Sequence, residues 1–276
     1  MTSPVRSRPL DDFVQQLPTE GLFSVWCGPC AGPAWLAHQA DAQHYAASTM
    51  KVALVLAAYR RADAGELDLD RLVTVHDDFA SATDAPRFTM DREDDSDPEP
   101  WRRIGQQVSL RWLGLRALVR SSNLATNLLL EVVGVEAVQA ALVAVGCTGS
   151  AVERGIEDAA AREVGLQNLV TAADLARTLQ ALSAGSTAST ASSAEILSML
   201  GAQQLRDMIP AGLPPGTPVA HKSGWVDGIS HDAGIIYPPD RDPFVFVMCT
   251  SSALSEQEGR ELIAAGAAAA WDEVHR

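Results

Sequence analysis

The segments of this chain that favour β-strands lie near its two ends, and a long helical stretch separates them. Five segments have the composition of strands: 21–27, 33–38, 219–226, 232–237 and 243–250. Between residue 109 and about residue 184, apolar residues recur instead at helical spacing. We therefore predict an α/β (α+β) fold, in which a five-stranded antiparallel sheet is flanked by helices and carries an inserted all-helical subdomain.

Helix signals and charge set the expected boundaries of these parts. Four further helices are predicted at residues 10–17, 48–64, 194–208 and 255–274. We predict a discontinuous sheet domain formed by residues 1–58 and 209–276, and a helical subdomain formed by residues 59–208. Residues 77–100 contain nine acidic side chains against two arginines, which predicts a solvated surface loop.

The acidic balance of the chain limits its partners. Thirty-five Asp and Glu residues against twenty-one Lys and Arg residues give a net charge of -14, which repels nucleic acid phosphates and anionic membranes. The N-terminal segment has no apolar run of a secretory signal, so we expect a cytoplasmic protein. We expect a small-molecule substrate, no nucleic-acid or membrane partner, no cofactor, and a monomer or homodimer.

The cysteine pattern W-C-G-P-C, which contains Cys27 and Cys30, has the letters of a thioredoxin redox site. Such a site opens a helix, whereas here Gly32 and Pro33 follow and favour a turn. We therefore predict a β-hairpin at this position and retain a redox site as an alternative. A metal site is not expected, because no second Cys or His pair completes a tetrahedral set.

Lysine is the rarest charged residue of the chain, with two lysines against nineteen arginines. Because a buried lysine can lose its proton and an arginine cannot, Lys51 and Lys222 are candidate sites of amine chemistry. Lys51 follows Ser48 by three residues at the start of a predicted helix, so the two side chains share a face. Alone, this pattern fits two interpretations: a nucleophilic Ser48 whose hydroxyl lies within hydrogen-bonding distance of the Lys51 amine, or a helix-capping serine followed by an exposed lysine.

Two further motifs accompany this pair. Ser121-Ser122-Asn123 opens another predicted helix, and Lys222-Ser223-Gly224 lies on a predicted strand. In this order the three motifs resemble S-x-x-K, S-x-N and K-[ST]-G of the class A β-lactamase and penicillin-binding-protein family. The strings SSNLATNLLL and IPAGLPPGTPVAHKSG extend the resemblance, which covers about residues 20 to 270. It implies a β-lactamase/transpeptidase-like fold and a serine hydrolase that forms an acyl-enzyme with a β-lactam or another small amide or ester.

The resemblance also implies a role for each motif residue. Ser48 would carry the acyl group, Lys51 would be its base, and Ser121 would pass a proton to the leaving nitrogen. Lys222 would hold Ser121 and keep the site positive.

The remaining motif positions would bind substrate. Asn123 would bond to the substrate amide, and Ser223 would meet its carboxylate. Gly224 completes the third motif, and the backbone N–H groups of Ser48 and Trp225 would form the oxyanion hole.

Two glutamates are candidates for the residue that would drive hydrolysis of the ester. Glu157 and Glu163 are both candidates, and the distance from Glu157 to the helix after Thr171 favours Glu157. We expect an ion pair between Arg154 and Asp158 to pin the loop that carries it.

Two departures from the family pattern keep other functions open. Ser122 stands where β-lactamases usually have Asp, and no arginine follows Gly224 until Arg241. A D,D-peptidase or acyltransferase of penicillin-binding-protein type is therefore an alternative, although the expected cytoplasmic location weakens it. A catalytically inactive binding protein with this fold is a further alternative, against which the intact motif residues argue.

Overall fold

A five-stranded antiparallel sheet lies at the centre of the computed structural model, which describes residues 8–276. The strands are β1 (Leu22–Pro29), β2 (Leu36–His38), β3 (His44–Tyr45), β4 (Leu72–Thr74), β5 (Asp78–Phe79), β6 (Phe88–Thr89), β7 (Gln107–Ser109), β8 (Leu169–Val170), β9 (Val219–Val226), β10 (Ile229–Ile236) and β11 (Phe244–Ser251). The α-helices are α1 (Pro9–Gln15), α2 (Met50–Asp63), α3 (Pro98–Trp101), α4 (Leu110–Val119), α5 (Asn123–Val133), α6 (Val135–Ala144), α7 (Ala159–Glu163), α8 (Ala172–Ser183), α9 (Thr190–Gly201) and α10 (Glu256–Val274). Short 3₁₀ turns span Ala47–Thr49 and Ile209–Gly212.

The central sheet joins the two ends of the chain. Its strand order is β2-β1-β11-β10-β9, so β1 from the N-terminal part pairs antiparallel with β11 from the C-terminal part. This confirms the predicted fold class. The fourth predicted strand begins earlier than expected, at Ile229. A tight turn at Gly228 (φ +73°) connects β9 directly to β10, so pairing starts at once.

Both faces of the sheet are covered, which explains the continuous apolar runs of its inner strands. On β11, Val245 and Val247 face a core shared with α2 and α8, whereas Phe244 and Phe246 face a second core with α1 and α10. Strands buried on both faces lose the alternation of polar and apolar residues.

Helix α2 is the central helix of the molecule. Ten consecutive residues, Met50 to Tyr59, are buried in it, and it packs against α4, α5, α6 and α9. A helix that is apolar all round belongs inside a protein, so a lysine at its first turn is carried into the interior.

Two helices of the predicted helical subdomain pack against the central sheet. Helices α8 and α9 lie within the segment assigned to the helical subdomain, yet α8 packs on β1, β10 and β11, and α9 packs on β9. The division at residues 58 and 209 stays a prediction. No single helix within residues 8–276 is long and apolar enough to cross a membrane; α5 and α6 satisfy that criterion only jointly, as a pair bent by 86°.

The W-C-G-P-C segment forms the predicted hairpin. Strands β1 and β2 pair antiparallel with Cys27 opposite Leu36, and the turn between them contains Cys30. All four cysteines are free thiols. Burial raises the pKa of both the Cys27 and Cys30 thiols, which is the opposite of the activation that a redox site needs.

Candidate active site

A cleft of about 700 Å³ is lined by residues of the first two sequence motifs and by the residue that follows the third. Ser48, Ser121 and Asn123 line it, with Trp225 on one wall and Glu157 on another. These residues come from the 3₁₀ turn before α2, the turn that leads into α5, strand β9 and the loop before α7.

Ser48 lies in the 3₁₀ turn that leads into α2. The residue before it, Ala47, has a left-handed backbone (φ +43°), which a side chain with a Cβ adopts only under constraint. His231 of β10 supplies part of that constraint, because its Nε2 donates to the Tyr45 carbonyl at 2.8 Å. Ser48 is partly exposed towards the cleft, whereas the following residue, Thr49, is buried.

The Lys51 amine is fully buried, and its contacts differ from the sequence prediction. Its Nζ donates to the Ser121 carbonyl (2.6 Å), Ser121 Oγ (3.2 Å) and Asn123 Oδ1 (2.8 Å), rather than to Ser48. The predicted bond is absent because these three acceptors already satisfy the three hydrogens of an ammonium group. Burial and the nearby Lys222 charge lower the pKa of Lys51 well below its ordinary value, while Asp95 and Glu157 partly offset that shift. The amine is therefore poised to lose a proton.

Ser121 lies between the two lysines. Its Oγ accepts hydrogen bonds from Lys51 Nζ at 3.2 Å and from Lys222 Nζ at 3.0 Å, so its own hydrogen remains free to be donated. Ser121 has a left-handed backbone (φ +58°) and is buried. Burial lowers the pKa of Lys222 to about 7, although Asp232 opposes the change. The hydroxyl thus has two proton donors within reach, as a proton shuttle requires.

Strand β9 passes directly against the turn that carries Ser48. A Cβ on Gly224 would lie 2.7 Å from the Ser48 backbone nitrogen and 3.0 Å from that of Thr49, so only glycine fits. This approach brings the strand segment with Trp225 beside the Ser48 N–H, which is the arrangement the predicted oxyanion hole needs. The Ser223 hydroxyl is buried, and residues 8–276 offer it no hydrogen-bond partner.

The structure brings Glu157 to the cleft and leaves Glu163 outside it. Glu157 has a left-handed backbone (φ +66°), and its Oε2 accepts from the Asp91 N–H at 2.6 Å. Its Oε1 is buried without a hydrogen-bond partner among the described residues. Burial, more than the neighbouring Asp94, Asp91 and Asp95 charges, raises the pKa of Glu157. Glu163 is exposed at the end of α7, which supports the choice of Glu157 over Glu163.

The predicted ion pair between Arg154 and Asp158 is wrong. Both side chains are buried, but the Arg154 guanidinium donates to the backbone carbonyls of Leu166 and Gly155. Asp158 accepts instead from Ser81 Oγ at 2.8 Å and caps the N-terminus of α7. Each charge is used to satisfy buried polar groups that would otherwise lack partners, so the loop is pinned at two separate places.

The prediction of a solvated loop at residues 77–100 holds for the exposed residues 91–94 but is wrong for Asp95 and Asp97. Asp97 is only 1% exposed, caps α3 and binds Arg116, while Asp95 and Ser96 contact the start of α5. Composition alone predicts solvent exposure for a short stretch with nine acidic residues. The Asp-Pro sequence at residues 97 and 98, a helix-start signal, was the local clue to the ordered part.

An arginine stands near the cleft wall although β9 carries none. The Arg260 guanidinium of α10 lies over the Trp225 ring, 5.0 Å from its centroid. It also forms ion pairs with Asp207 and Glu256. Sequence reasoning missed this residue, because only the packing of α10 on the sheet brings it to Trp225.

Residues 8–276 contain no group of three or more His, Cys, Asp or Glu side chains placed to hold a metal ion.

Comparison with known proteins agrees with this geometry. Residues 9–274 match the model of the beta-lactamase enzyme family. A β-lactamase of Citrobacter koseri is 29% identical over 179 residues, which are 62% of this chain and 60% of that protein, so the match spans less than two thirds of either.

Solved structures share the fold over almost the full length. A β-lactamase from Sphaerobacter thermophilus matches with a TM-score of 0.81 at 25% identity, covering 97% of this chain and 95% of that one. PBP-A matches with a TM-score of 0.78 at 19% identity, covering 95% and 93%, and shows the fold alone. Because the family match extends over nearly all of its length, the chain belongs to the β-lactamase enzyme family of serine hydrolases.

Proposed function

We propose that the protein forms an acyl-enzyme on Ser48 with a β-lactam or another small amide or ester, and then hydrolyses that ester. The observation that carries the proposal is the Ser121 hydroxyl, which accepts from the only two lysines of the chain beside the cleft that Ser48 lines. Burying two lysines on one hydroxyl costs stability, and such a cost is expected at a site that uses the two amines.

Acylation begins with the Lys51 amine in its neutral form. Burial and the Lys222 charge favour that form, and the free lone pair then accepts the Ser48 proton as Ser48 Oγ attacks the carbonyl carbon. The N–H groups of Ser48 and Trp225 stabilise the developing oxyanion. Ser121 donates its proton to the leaving nitrogen and regains one from the lysines. General-base assistance of this kind contributes ~10²–10⁴ in rate.

Deacylation requires a carboxylate that activates water against the Ser48 ester. Glu157 lines the cleft, and its Oε1 has no partner in residues 8–276, so this oxygen is available to accept a proton from water. Its other oxygen is held by the Asp91 N–H, which fixes the orientation of the carboxylate. Glu157 is therefore the proposed general base of the second half-reaction.

The test is intact-protein mass spectrometry after incubation with a fluorescent penicillin, with drug consumption measured in parallel. Ser48→Ala should abolish both the adduct and drug loss. Ser198→Ala is the matched control, because Ser198 is exposed on α9 and far from the three motifs in sequence. Ser48-dependent consumption with only a transient adduct supports the hydrolase.

Two other outcomes redirect the assignment. A persistent adduct on Ser48 without turnover would support the D,D-peptidase or acyltransferase alternative, in which an amine rather than water receives the acyl group. An adduct of equal yield in Ser48→Ala, or no adduct and no drug loss in the parent, would overturn the proposal.

A further inference from the structure

The acidic segment, residues 91–96, contacts both halves of the proposed catalytic machinery. Ser96 Oγ donates to the Arg120 carbonyl at 2.8 Å, and Asn123 Nδ2 donates to the Asp94 carbonyl at 3.2 Å. At its other end, the Asp91 N–H donates to Glu157 Oε2 at 2.6 Å. A segment expected in solvent therefore bridges the turn before α5 and the loop that carries Glu157.

Asp95 makes the densest set of these contacts. Its Oδ2 accepts from Ser122 Oγ (3.1 Å), the Leu124 N–H (2.9 Å) and Trp101 Nε1 (3.0 Å), and its Oδ1 accepts from the Asp97 N–H (3.0 Å). All four donors are neutral groups. They orient the carboxylate without neutralising it, so its charge acts on the surrounding site.

We propose that Asp95 is a positioning residue of the active site, which fixes the turn bearing Ser121 and Asn123, the two residues whose oxygens accept hydrogen bonds from Lys51 Nζ. This inference rests on the proposed function, because it assigns Asp95 a part in the same acylation step.

The turn needs such support from outside. Ser121 has a left-handed backbone (φ +58°), a conformation that persists only where surrounding contacts impose it. Ser122 caps α5 by accepting from the Ala125 N–H at 3.1 Å, and donates its own hydrogen to Asp95. Ser122 carries no charge of its own. The carboxylate at this turn therefore comes from a separate segment of the chain.

Burial and three charged side chains act together on the Lys51 amine. Lys222 from β9 lowers its pKa together with burial, while Asp95 and Glu157 raise it. Removing the Asp95 charge leaves Glu157 as the one carboxylate of this set, so the pKa of Lys51 should fall further. If the neutral amine is the base, the acid limb of the pH–rate profile for acylation must move to lower pH together with the Lys51 pKa.

Because the chain has only two lysines, the pKa of Lys51 can be measured without an activity assay. In protein labelled with ¹³Cε-lysine, NMR titration shows two side-chain resonances, and Lys222→Arg identifies the one from Lys51. Asp95→Asn should lower the pKa read from the Lys51 resonance. Glu93→Gln is the matched control, because it removes one charge from the same segment at an exposed position and should leave the resonance unchanged.

Kinetics and a rescue variant separate positioning from general damage. Asp95→Ala, which removes all four accepted bonds, should slow acylation of Ser48 by about 10²-fold, the loss expected when a catalytic group is displaced by about 1 Å. Adding Ser122→Asp to Asp95→Asn returns a carboxylate to the turn and keeps a good helix cap. The double variant should recover both the Lys51 titration and the rate.

Each result decides one proposal. Equal Lys51 titrations and equal acylation rates in the parent, Asp95→Asn and Glu93→Gln would overturn the role of Asp95. A parent that neither acylates nor hydrolyses would overturn the proposed function, and the lysine titration would still decide whether Asp95 sets the charge at Lys51. Should Asp95→Ala fail to fold, the nearly isosteric Asp95→Asn still supplies both measurements.

Discussion

Gly224→Ala tests the closest backbone approach in the candidate site. A Cβ at this position would lie 2.7 Å from the Ser48 nitrogen and 3.0 Å from the Thr49 nitrogen, whereas ordinary contact begins at 3.4 Å. Both neighbours are backbone atoms, so no side-chain rotation relieves the overlap. Strand β9 and the Ser48 turn must therefore separate by about 0.7 Å, the difference between 3.4 and 2.7 Å.

This displacement should cost activity more than stability. Overpacking of this kind costs ~1–3 kcal/mol of folding free energy. The same shift moves the Ser48 and Trp225 N–H groups relative to each other, and misplacement by about 1 Å costs ~10²-fold in rate. We expect kcat/KM for a chromogenic cephalosporin to fall by about 10- to 10²-fold, with native circular dichroism and a modest drop in Tm.

Gly201→Ala is the matched control, because an added Cβ at the end of α9 meets no atom within 4 Å. It should keep the parent rate and the parent Tm or a slightly higher one. If Gly224→Ala retains both parent values, the close approach does not exist in solution. If its Tm falls while kcat/KM is unchanged, the backbone N–H groups at this approach are not the oxyanion hole.

Three further substitutions separate the roles of the charged residues. Lys51→Arg keeps the charge but supplies no free base, so pre-steady-state acylation should slow by ~10² or more. Lys222→Arg keeps a charge and donors for Ser121 and should lose less; equal tolerance at both positions would exclude Lys51 as the base. Glu157→Gln should leave acylation nearly intact and slow deacylation by ~10² or more, so the adduct accumulates in the intact mass. If Glu163→Gln traps the adduct instead, Glu157 is not the base of deacylation.

The fold and the motif residues could be predicted because their signals are local or unusual. Strand composition at the two ends of the chain indicated one sheet before any pairing was known. The scarcity of lysine drew attention to Lys51 and Lys222, whose amines meet at one hydroxyl in the structure. Both signals can be read without knowledge of which distant segments touch.

The contacts between distant segments could not be predicted in the same way. Arg154 and Asp158 are four residues apart and of opposite charge, yet each satisfies different buried polar groups instead of pairing. Asp95 is one of nine acids in its stretch, and nothing local distinguishes it from its exposed neighbour Glu93. Hydrogen-bond satisfaction in the interior decides such contacts, and it depends on the assembled fold.

Features that cost stability are concentrated at this one site. Three of the four non-glycine residues with left-handed backbone in residues 8–276, namely Ala47, Ser121 and Glu157, lie next to the proposed nucleophile, in the S-x-N turn and at the proposed base. Both lysines of the chain are fully buried there as well. Strain that clusters in this way is expected where function, rather than folding, selects the residues.

One of these costs can be isolated at Lys222. Burial lowers its pKa from 10.5 to about 7, and at about 1.4 kcal/mol per pKa unit this corresponds to roughly 5 kcal/mol in full and roughly 4 kcal/mol at pH 7, where about half of the folded molecules carry the charge. The unfolded chain binds the extra proton between these two values, so this lysine makes stability rise with pH across that window and removes stability below it. Lys222→Met removes the charge and loses two hydrogen bonds, to Ser121 and Ser223, worth ~1 kcal/mol each. The inactive variant should therefore be more stable than the parent by about 2 kcal/mol at pH 7, with the advantage shrinking towards pH 10 in urea denaturation. Equal stability at pH 7 would mean that the hydrogen bonds of Lys222 fully offset its burial, and that the site carries no net cost at this residue.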